Sequence, residues 1–259
     1  MEVHHHPHVE KKKFKEYFLE FLMIFLAVTM GFFAETIREN ITEHRHAREF
    51  ALLLLKDVEQ DTVQLNSYRQ YFSYVADNID TLIQLLANND PKDITTGKLY
   101  WYGLFGGARR SFVPNDETFQ QMKSSGSLRY FGQKIASAAA KYDRFCRLMQ
   151  SYEQIQQNIY AEVRKLRAQI FIVSYNDRAN NIFQKYFKSW GNFDFGPIDS
   201  FMKTNPPVLS YDKTLFNEYI ELVRSRFIRG YNVGGSDSLL HQASVLISEL
   251  KTEYRLEDK

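Results

Sequence analysis

The sequence predicts an all-α protein: an N-terminal transmembrane helix that continues into a domain built as a bundle of long helices. Three observations point there. No glycine or proline occurs between Phe32 and Asp90, or again between Gln133 and Trp190. Both stretches repeat apolar residues every seven positions, the period of helices that pack along a seam. Finally, no stretch alternates convincingly as a strand would.

Taken in order, residues 1–10 form a tail, MEVHHHPHVE, with His4, His5, His6 and His8. Neutral imidazoles suit Zn²⁺ or Ni²⁺, but Pro7 and the lack of a core predict a disordered tail, and we assign it no metal and the chain no cofactor. Residues 11–34 are the expected membrane span. Lys11, Lys12, Lys13 and Lys15 precede a run free of charge from Phe21 to Ala34. As a helix, Phe14 to Ala34 covers roughly 30 Å, the thickness of a bilayer's hydrocarbon core. The charge-free core is short for a span, and Glu20 sits near its start, at a depth where long side chains reach the interface. A cleaved signal peptide fits poorly, because a cut after Ala34 puts Phe32 at the −3 position where a small residue is needed. A soluble helix fits poorly too, since Phe21 to Leu26 is apolar on every side. Lysines crowd the N-terminal flank, whereas Arg38, Arg45 and Arg48 are diluted by Glu35, Glu39 and Glu43 on the other. The basic bias places the N-terminus in the cytoplasm and the bulk of the chain outside it.

Residues 35–259 are the expected extracytoplasmic helical domain. The chain of 259 residues is 44% hydrophobic and 25% charged, an ordinary balance for a packed domain. Its net charge of +2 argues against a nucleic-acid partner, which calls for a basic face. Cys146 is the single cysteine, so no internal disulfide forms and packing alone holds the domain, with 21 Phe and 16 Tyr to supply it. The first long helix carries Ala51, Val58, Leu65, Phe72, Ile79 and Leu86 in one row and Leu54, Tyr68, Val75 and Leu82 in the other, with Asp61 interrupting the second. Asn88 to Pro91 ends it. Breakers and aromatics mix in residues 91–132, a packed connection in which Asn115 or Asp116 caps a short helix closed by Gly126. A second long helix from Gln133 to near Asn176 repeats Ala138, Phe145, Tyr152, Ile159, Leu166 and Val173, interleaved with Tyr142, Met149, Val163 and Ile170. Asp177 to Ser189 follows as a shorter helix stopped by Trp190-Gly191. Gly196, Pro197, Pro206 and Pro207 predict a loop, and helices at Tyr211–Arg229 and Ser236–Leu256 complete the bundle, the last capped by Ser236 or Asp237. The seams are expected to pack the two long helices on each other, or on a second copy of the chain.

The opening MEVHHH with its lysine flank, the span FLEFLMIFLAVTMGFFAE, the segment TFQQMKSSGSLRYF and the closing SLLHQASVLISELKTEY together resemble a family of uncharacterised bacterial membrane-anchored proteins, a domain of unknown function. The resemblance covers most of the chain and is most specific in the first 35 residues. It implies a native histidine tract, a membrane-embedded apolar run, and hence a single-pass protein of the bacterial inner membrane with a periplasmic domain. It brings no assigned activity.

Several constellations carry residue types that do chemistry. Asp57 and Asp61 stand one helical turn apart, as paired carboxylates for acid–base work or a metal would. Asp61 lies on an apolar seam, where a polar residue fixes register or meets a cation. We expect a structural clamp in which Lys123 or Arg129, beside the turn Ser124-Ser125-Gly126, contacts Asp57 or Asp61. Ser236, Asp237 and His241 are the residue types of a hydrolase triad but lack a nucleophile elbow. Glu43, His44 and His46 lack a shared helix face for a metal. Gly106, Gly107, Arg109 and Arg110 hint at an anion-binding loop without the strand–glycine–helix setting of a phosphate loop. Arg164, Lys165 and Arg167 surround their helix as a solvated surface, and Cys146 is a small core hydrophobe. No nucleophile–base or metal-ligand spacing emerges, so the expectation is a non-enzymatic module acting through protein contacts. The alternative is a bundle that senses a ligand between its helices and signals through a membrane partner, because few residues precede the span. A pocket with convergent polar groups favours the sensor; a large exposed apolar patch favours the contact module.

Overall fold

A computed structural model describes residues 13–188 and 194–256 of the chain. The His4–His8 tract, Lys11, Lys12 and the Trp190-Gly191 helix stop lie outside the described residues. Among the described residues every regular element is helical and there is no strand.

Helix α1, Phe14–Asn88, is a single rod of 75 residues, about 110 Å long at the usual rise. At its start Glu16 accepts a hydrogen bond from the Lys13 N–H at 3.2 Å. It stops where the Asn-Asn-Asp-Pro sequence predicts. Asn88 and Asn89 turn back to the carbonyls of Gln84 and Leu85, and Asp90 caps a 3₁₀ turn at Pro91–Asp93 by accepting from the Lys92 N–H. The two ends of α1 differ in kind. From Phe14 to Ile41 its large apolar side chains are exposed. From Ala47 onward it is the spine of the bundle, burying Ala51, Leu54, Val58, Leu65, Phe72 and Val75, the rows read from the heptad. Among the described residues α1 is the one helix long and apolar enough to cross a membrane, and no part of that apolar window is covered by the rest of the chain.

The bundle is completed by α2 (Thr96–Leu104), α3 (Glu117–Ser124), α4 (Gln133–Ile170), α5 (Val173–Lys188), α6 (Gly196–Met202), α7 (Lys213–Ser225) and α8 (Gly235–Tyr254). The packing expected of the two long helices α1 and α4 on each other is confined to a few points, as where Tyr142 reaches Asp61; α8 lies along both, and α7 packs on α4. The reason is the apolar stripe of α8, with Leu239, Ala243, Leu246 and Leu250 fully buried at helical spacing. A smaller cap of α2, α5 and α6 sits on the part of α1 beyond Tyr71. Helix α2 arises inside the breaker-rich connection, where Leu99, Tyr100 and Trp101 are buried on all sides, and tertiary packing outweighs its two glycines. Helix α6 replaces the loop expected around Gly196, with Pro197 in the first turn, where no donor is required.

Tertiary contacts also move a helix boundary. The second long helix ends at Ile170 rather than near Asn176, with no glycine or proline at the break. Phe171 is extended, its ring buried against Tyr100, Phe216 and Tyr219, while the Ile172 N–H donates to the Tyr100 hydroxyl at 3.0 Å. Burying that ring offsets the lost helical bonds. At the other end α3 closes at Gly126, whose φ of 72° is the left-handed conformation glycine adopts freely. Asp116 holds the N-cap position of α3, though its side chain bonds Gln120 rather than the backbone. Ser236 and Asp237 are not caps: a π-helical turn, Arg229–Gly234, runs straight into α8, so the Ser236 hydroxyl donates to the Val233 carbonyl and Asp237 pairs with Arg69 of α1.

Candidate functional site: an arginine-lined cavity beside the helix seams

Each long helix carries one polar residue in an otherwise apolar or aromatic seam. On α1 the row Leu54, Asp61, Tyr68, Val75, Leu82 contains Asp61, which is wholly buried. On α4 the row Tyr142, Met149, Gln156, Val163, Ile170 contains Gln156, only 7% exposed. Buried polar groups need partners, so each marks a network.

Around Asp61 the partners are neutral. One carboxylate oxygen accepts from the Asn115 N–H at 2.9 Å and from the Asn115 side-chain amide at 2.8 Å; the other accepts from the Tyr142 hydroxyl at 2.6 Å. Burial pushes the Asp61 carboxyl above its ordinary value, against the pull of these three bonds. Burial likewise raises the Tyr142 hydroxyl, and it pushes Cys146 beside it up to about 12, an inert thiol. The expected clamp is therefore corrected. Lys123 lies over the Phe119 ring, and Arg129 lies over the Tyr130 ring and donates to its hydroxyl at 2.9 Å; neither pairs with Asp57 or Asp61. Chain direction explains this. The connection meets α1 with Asn115, ahead of α3, and the eight residues of α3 then carry Lys123 and Arg129 roughly 12 Å onward. Arg129 ends beside His44, Arg45 and Arg48. Asp57 is half-buried, with one carboxylate oxygen enclosed and unpartnered.

Around Gln156 the network reaches a buried cation. The Gln156 amide donates to the Asn232 side-chain oxygen at 2.9 Å, and the Asn232 amide donates to the Tyr68 hydroxyl at 2.6 Å. Arg226, 2% exposed, donates to the carbonyls of Gly106 and Ala108, both at 2.6 Å, and to Gln156 at 3.4 Å. Its Nε has no acceptor. Among the described residues no carboxylate forms an ion pair with it, and burial lowers its pKa. Helical spacing delivers Arg226, which continues the buried stripe of α7 after Phe216, Tyr219 and Val223, while unusual backbone delivers Asn232. Arg226 ends α7, Phe227 after it adopts φ 45°, and Asn232 projects from the π-helical turn. A non-glycine residue in the left-handed region costs about 1–3 kcal/mol, and π-turns often accompany functional sites. A Cβ at Gly230 would meet the Phe227 ring, so a larger residue there would have to displace that exposed side chain.

These groups line a cavity of about 390 Å³ with Phe72 on one wall and Arg109, Arg110 and Glu153 on others. Arg109 lies over the Tyr160 ring at 5.3 Å, and Arg110 over Phe187 at 5.0 Å. Glu153 accepts from the Phe112 N–H at 2.9 Å, and burial raises its pKa. Among the described residues no ion pair engages Arg109, Arg110 or Arg226. A second chamber of about 370 Å³ shares Arg109 and Tyr160 and adds Arg164, Arg167 and buried Asn176. Arg164 and Arg167 thus face one chamber together; Arg164 and Lys165 are exposed as expected, Lys165 pairing with Glu162, whereas Arg167 is half-buried and donates to the Leu104 carbonyl. The Gly106–Arg110 segment turns carbonyls, not N–H groups, toward Arg226, so it is no backbone phosphate cradle; its arginine side chains line the cavity instead.

The remaining constellations stay apart. Ser236 is buried on Val233, Asp237 pairs with Arg69, and His241 stands on an exposed face of α8. His44 lies near Tyr254, while His46 faces Glu49. Among the described residues no group of three or more His, Cys, Asp and Glu side chains could hold a metal ion. Gln156 was passed over in the sequence, although its place in a seven-residue row was a usable signal. Arg226 carries a similar signal, as the polar end of the stripe Phe216, Tyr219, Val223, whereas nothing local marks Asn232. Compared with protein-family models, with curated proteins and with solved structures, the chain has no match.

Proposed function

We propose that this chain is a membrane-anchored helical bundle, facing out of the cytoplasm, that takes a small ligand into the cavity beside Arg226. The observation that carries this reading is Arg226 itself: a guanidinium buried in a polar-lined cavity and, among the described residues, held by no ion pair. Burying an unpaired charge costs several kcal/mol, a cost that a ligand in the cavity would offset. The volume falls in the range of small-molecule sites.

The exposed apolar surface of Phe14 to Phe33 supports the anchor, as do Lys13 and Lys15 at its N-terminal flank. Thr29 and Thr36 donate their hydroxyls to the carbonyls of Phe25 and Phe32, so the polar side chains there are satisfied within the helix, as hydrocarbon requires. In this reading the compartment is the bacterial inner membrane with the bundle in the periplasm, and the kinship is with the membrane-anchored family that the sequence resembles. In this reading the cavity's amides and guanidiniums hold the ligand without transforming it, and the output passes to a partner protein in the membrane. A second reading, action through protein contacts alone, has in its favour Leu148 and Ile155, both exposed and seven residues apart on α4.

Two experiments test the proposal. Membranes carrying the full chain are washed with alkaline carbonate, and a reporter active only outside the cytoplasm is fused after Lys259. The protein should stay with the membrane and the reporter should be active; release, or an inactive reporter, contradicts the anchor. For the ligand, native mass spectrometry of the detergent-extracted chain should show a bound small molecule that Ser111→Trp, which fills the cavity, displaces. The same mass for both variants, apart from the substitution itself, would sink the ligand reading.

A further inference from the structure

We infer that the ligand of this cavity is a small dianion, a dicarboxylate or a phosphate ester, held by Arg226 at its base and by Arg109 and Arg110 at its rim. The inference rests on the reading that the cavity takes a ligand, and it adds the chemical class. Its first support is a charge count: three guanidiniums line the cavity against one carboxyl group, Glu153. Glu153 is already engaged by the Phe112 N–H. The net excess is two positive charges, which a dianion balances and a neutral or cationic molecule does not.

Donor supply gives the second support. Arg226 spends its bonds on Gly106, Ala108 and Gln156 yet leaves its buried Nε–H unanswered. A guanidinium presents donors in a planar fork that matches carboxylate and phosphate oxygens. Arg109 and Arg110, by contrast, rest on the Tyr160 and Phe187 rings without a carboxylate partner, so they can turn to an anion without breaking an ion pair. Arg164 and Arg167 in the neighbouring chamber, set against the one carboxylate Asp177, raise the positive potential further.

Room and shape also fit. At about 390 Å³ the cavity holds on the order of a dozen water-sized groups, enough for a short diacid or a phosphate ester with some water. Phe72 and Tyr160 offer flat apolar walls for the carbon skeleton, while Gln157 and Asn232 offer neutral polar contacts.

The test uses the full chain in nanodiscs of zwitterionic lipid, titrated calorimetrically with succinate and with inorganic phosphate at constant ionic strength, with putrescine as the cationic control. Succinate or phosphate should bind, and putrescine should not. Arg109→Gln removes an exposed rim cation without touching the core, and should weaken binding roughly ten- to a hundredfold, the worth of one charge-assisted bond. Arg226→Met should abolish binding; its fold is checked by circular dichroism, and Arg109→Gln carries the test if it misfolds. Equal affinity in the wild type and in Arg109→Gln/Arg110→Gln overturns the inference. So does a co-purifying ligand that is neutral or cationic, in which case the cavity reading stands and the anion class falls. No binding by any probe, with no molecule displaced by Ser111→Trp, removes both.

Discussion

Replacing Asp61 by leucine or by asparagine separates a hydrogen-bonded polar post from a charge clamp. Asp61→Leu keeps the branching of the side chain but, with methyls in place of oxygens, leaves the Asn115 N–H, the Asn115 amide and the Tyr142 hydroxyl without their acceptor. An unsatisfied buried donor costs about 1–3 kcal/mol. The two side-chain donors can turn toward the adjacent space of about 210 Å³ that Asn115 and Tyr142 line, and recover part of that loss; the backbone N–H cannot. The net expectation is a loss of about 2–4 kcal/mol, a fall in Tm of roughly 5–15 °C for a domain of this size. Asp61→Asn keeps an acceptor for both Asn115 bonds, and its new amide donates to a Tyr142 hydroxyl turned outward, so its cost stays within about 1 kcal/mol. Thermal unfolding of the full chain in detergent, followed by circular dichroism, reads both. Asn costing as much as Leu, or Arg129→Gln costing as much as either, would refute the neutral-donor account. The pH dependence has a definite sign. Burial raises Asp61 above its ordinary value of 3.8, so the folded state holds this proton more tightly than the unfolded chain. Stability from this site is complete below that value and is lost as pH rises through the raised one. As pH rises from the ordinary carboxylate range towards neutrality, Asp61→Asn should therefore gain on the wild type.

Packing yields three further expectations, each read by the same melts. Phe72→Ala, truncating a ring that is 1% exposed, should cost about 3–5 kcal/mol, and an unchanged Tm would remove Phe72 from the core. Gly106→Ala places a methyl against the Tyr219 hydroxyl and Val223, and should cost about 1–3 kcal/mol by overpacking; a neutral result would mean that the 105–107 turn is loosely held. Arg69→Ala breaks only a half-exposed ion pair with Asp237 and should cost less than about 1 kcal/mol; a larger loss would show that the pair anchors α8.

What could be read from the sequence was what repeats. Apolar burial on a helix has a period, so Leu65, Phe72 and Val75 could be placed in the core, and Asp61 picked out as the odd member of its row. Its partner could not, because Asn115 is a loop residue whose position depends on how the 91–132 connection meets α1. Helix pairing was hidden for a related reason: seams show which faces are buried, not which helix covers them, and α8 covers both. The break at Phe171 has no local breaker and follows from where one aromatic ring finds its pocket. The cavity was the least legible feature. Arg226 sits on the buried stripe of α7 after Phe216, Tyr219 and Val223, but only the left-handed Phe227 and the π-turn that follow bring Asn232 in beside it.

In the proposed arrangement one helix serves both as membrane anchor and as spine of the bundle. Spin labels at single cysteines along α1, in a Cys146→Ala background in lipid nanodiscs, test it directly. A label at Phe25 should collide freely with oxygen and be shielded from a water-soluble nickel chelate, while one at Glu59 should show the reverse. Labels between them should keep a helical period without interruption. A chelate-accessible label at Phe25, or a loss of helical period between Ala34 and Ala47, would contradict the claim.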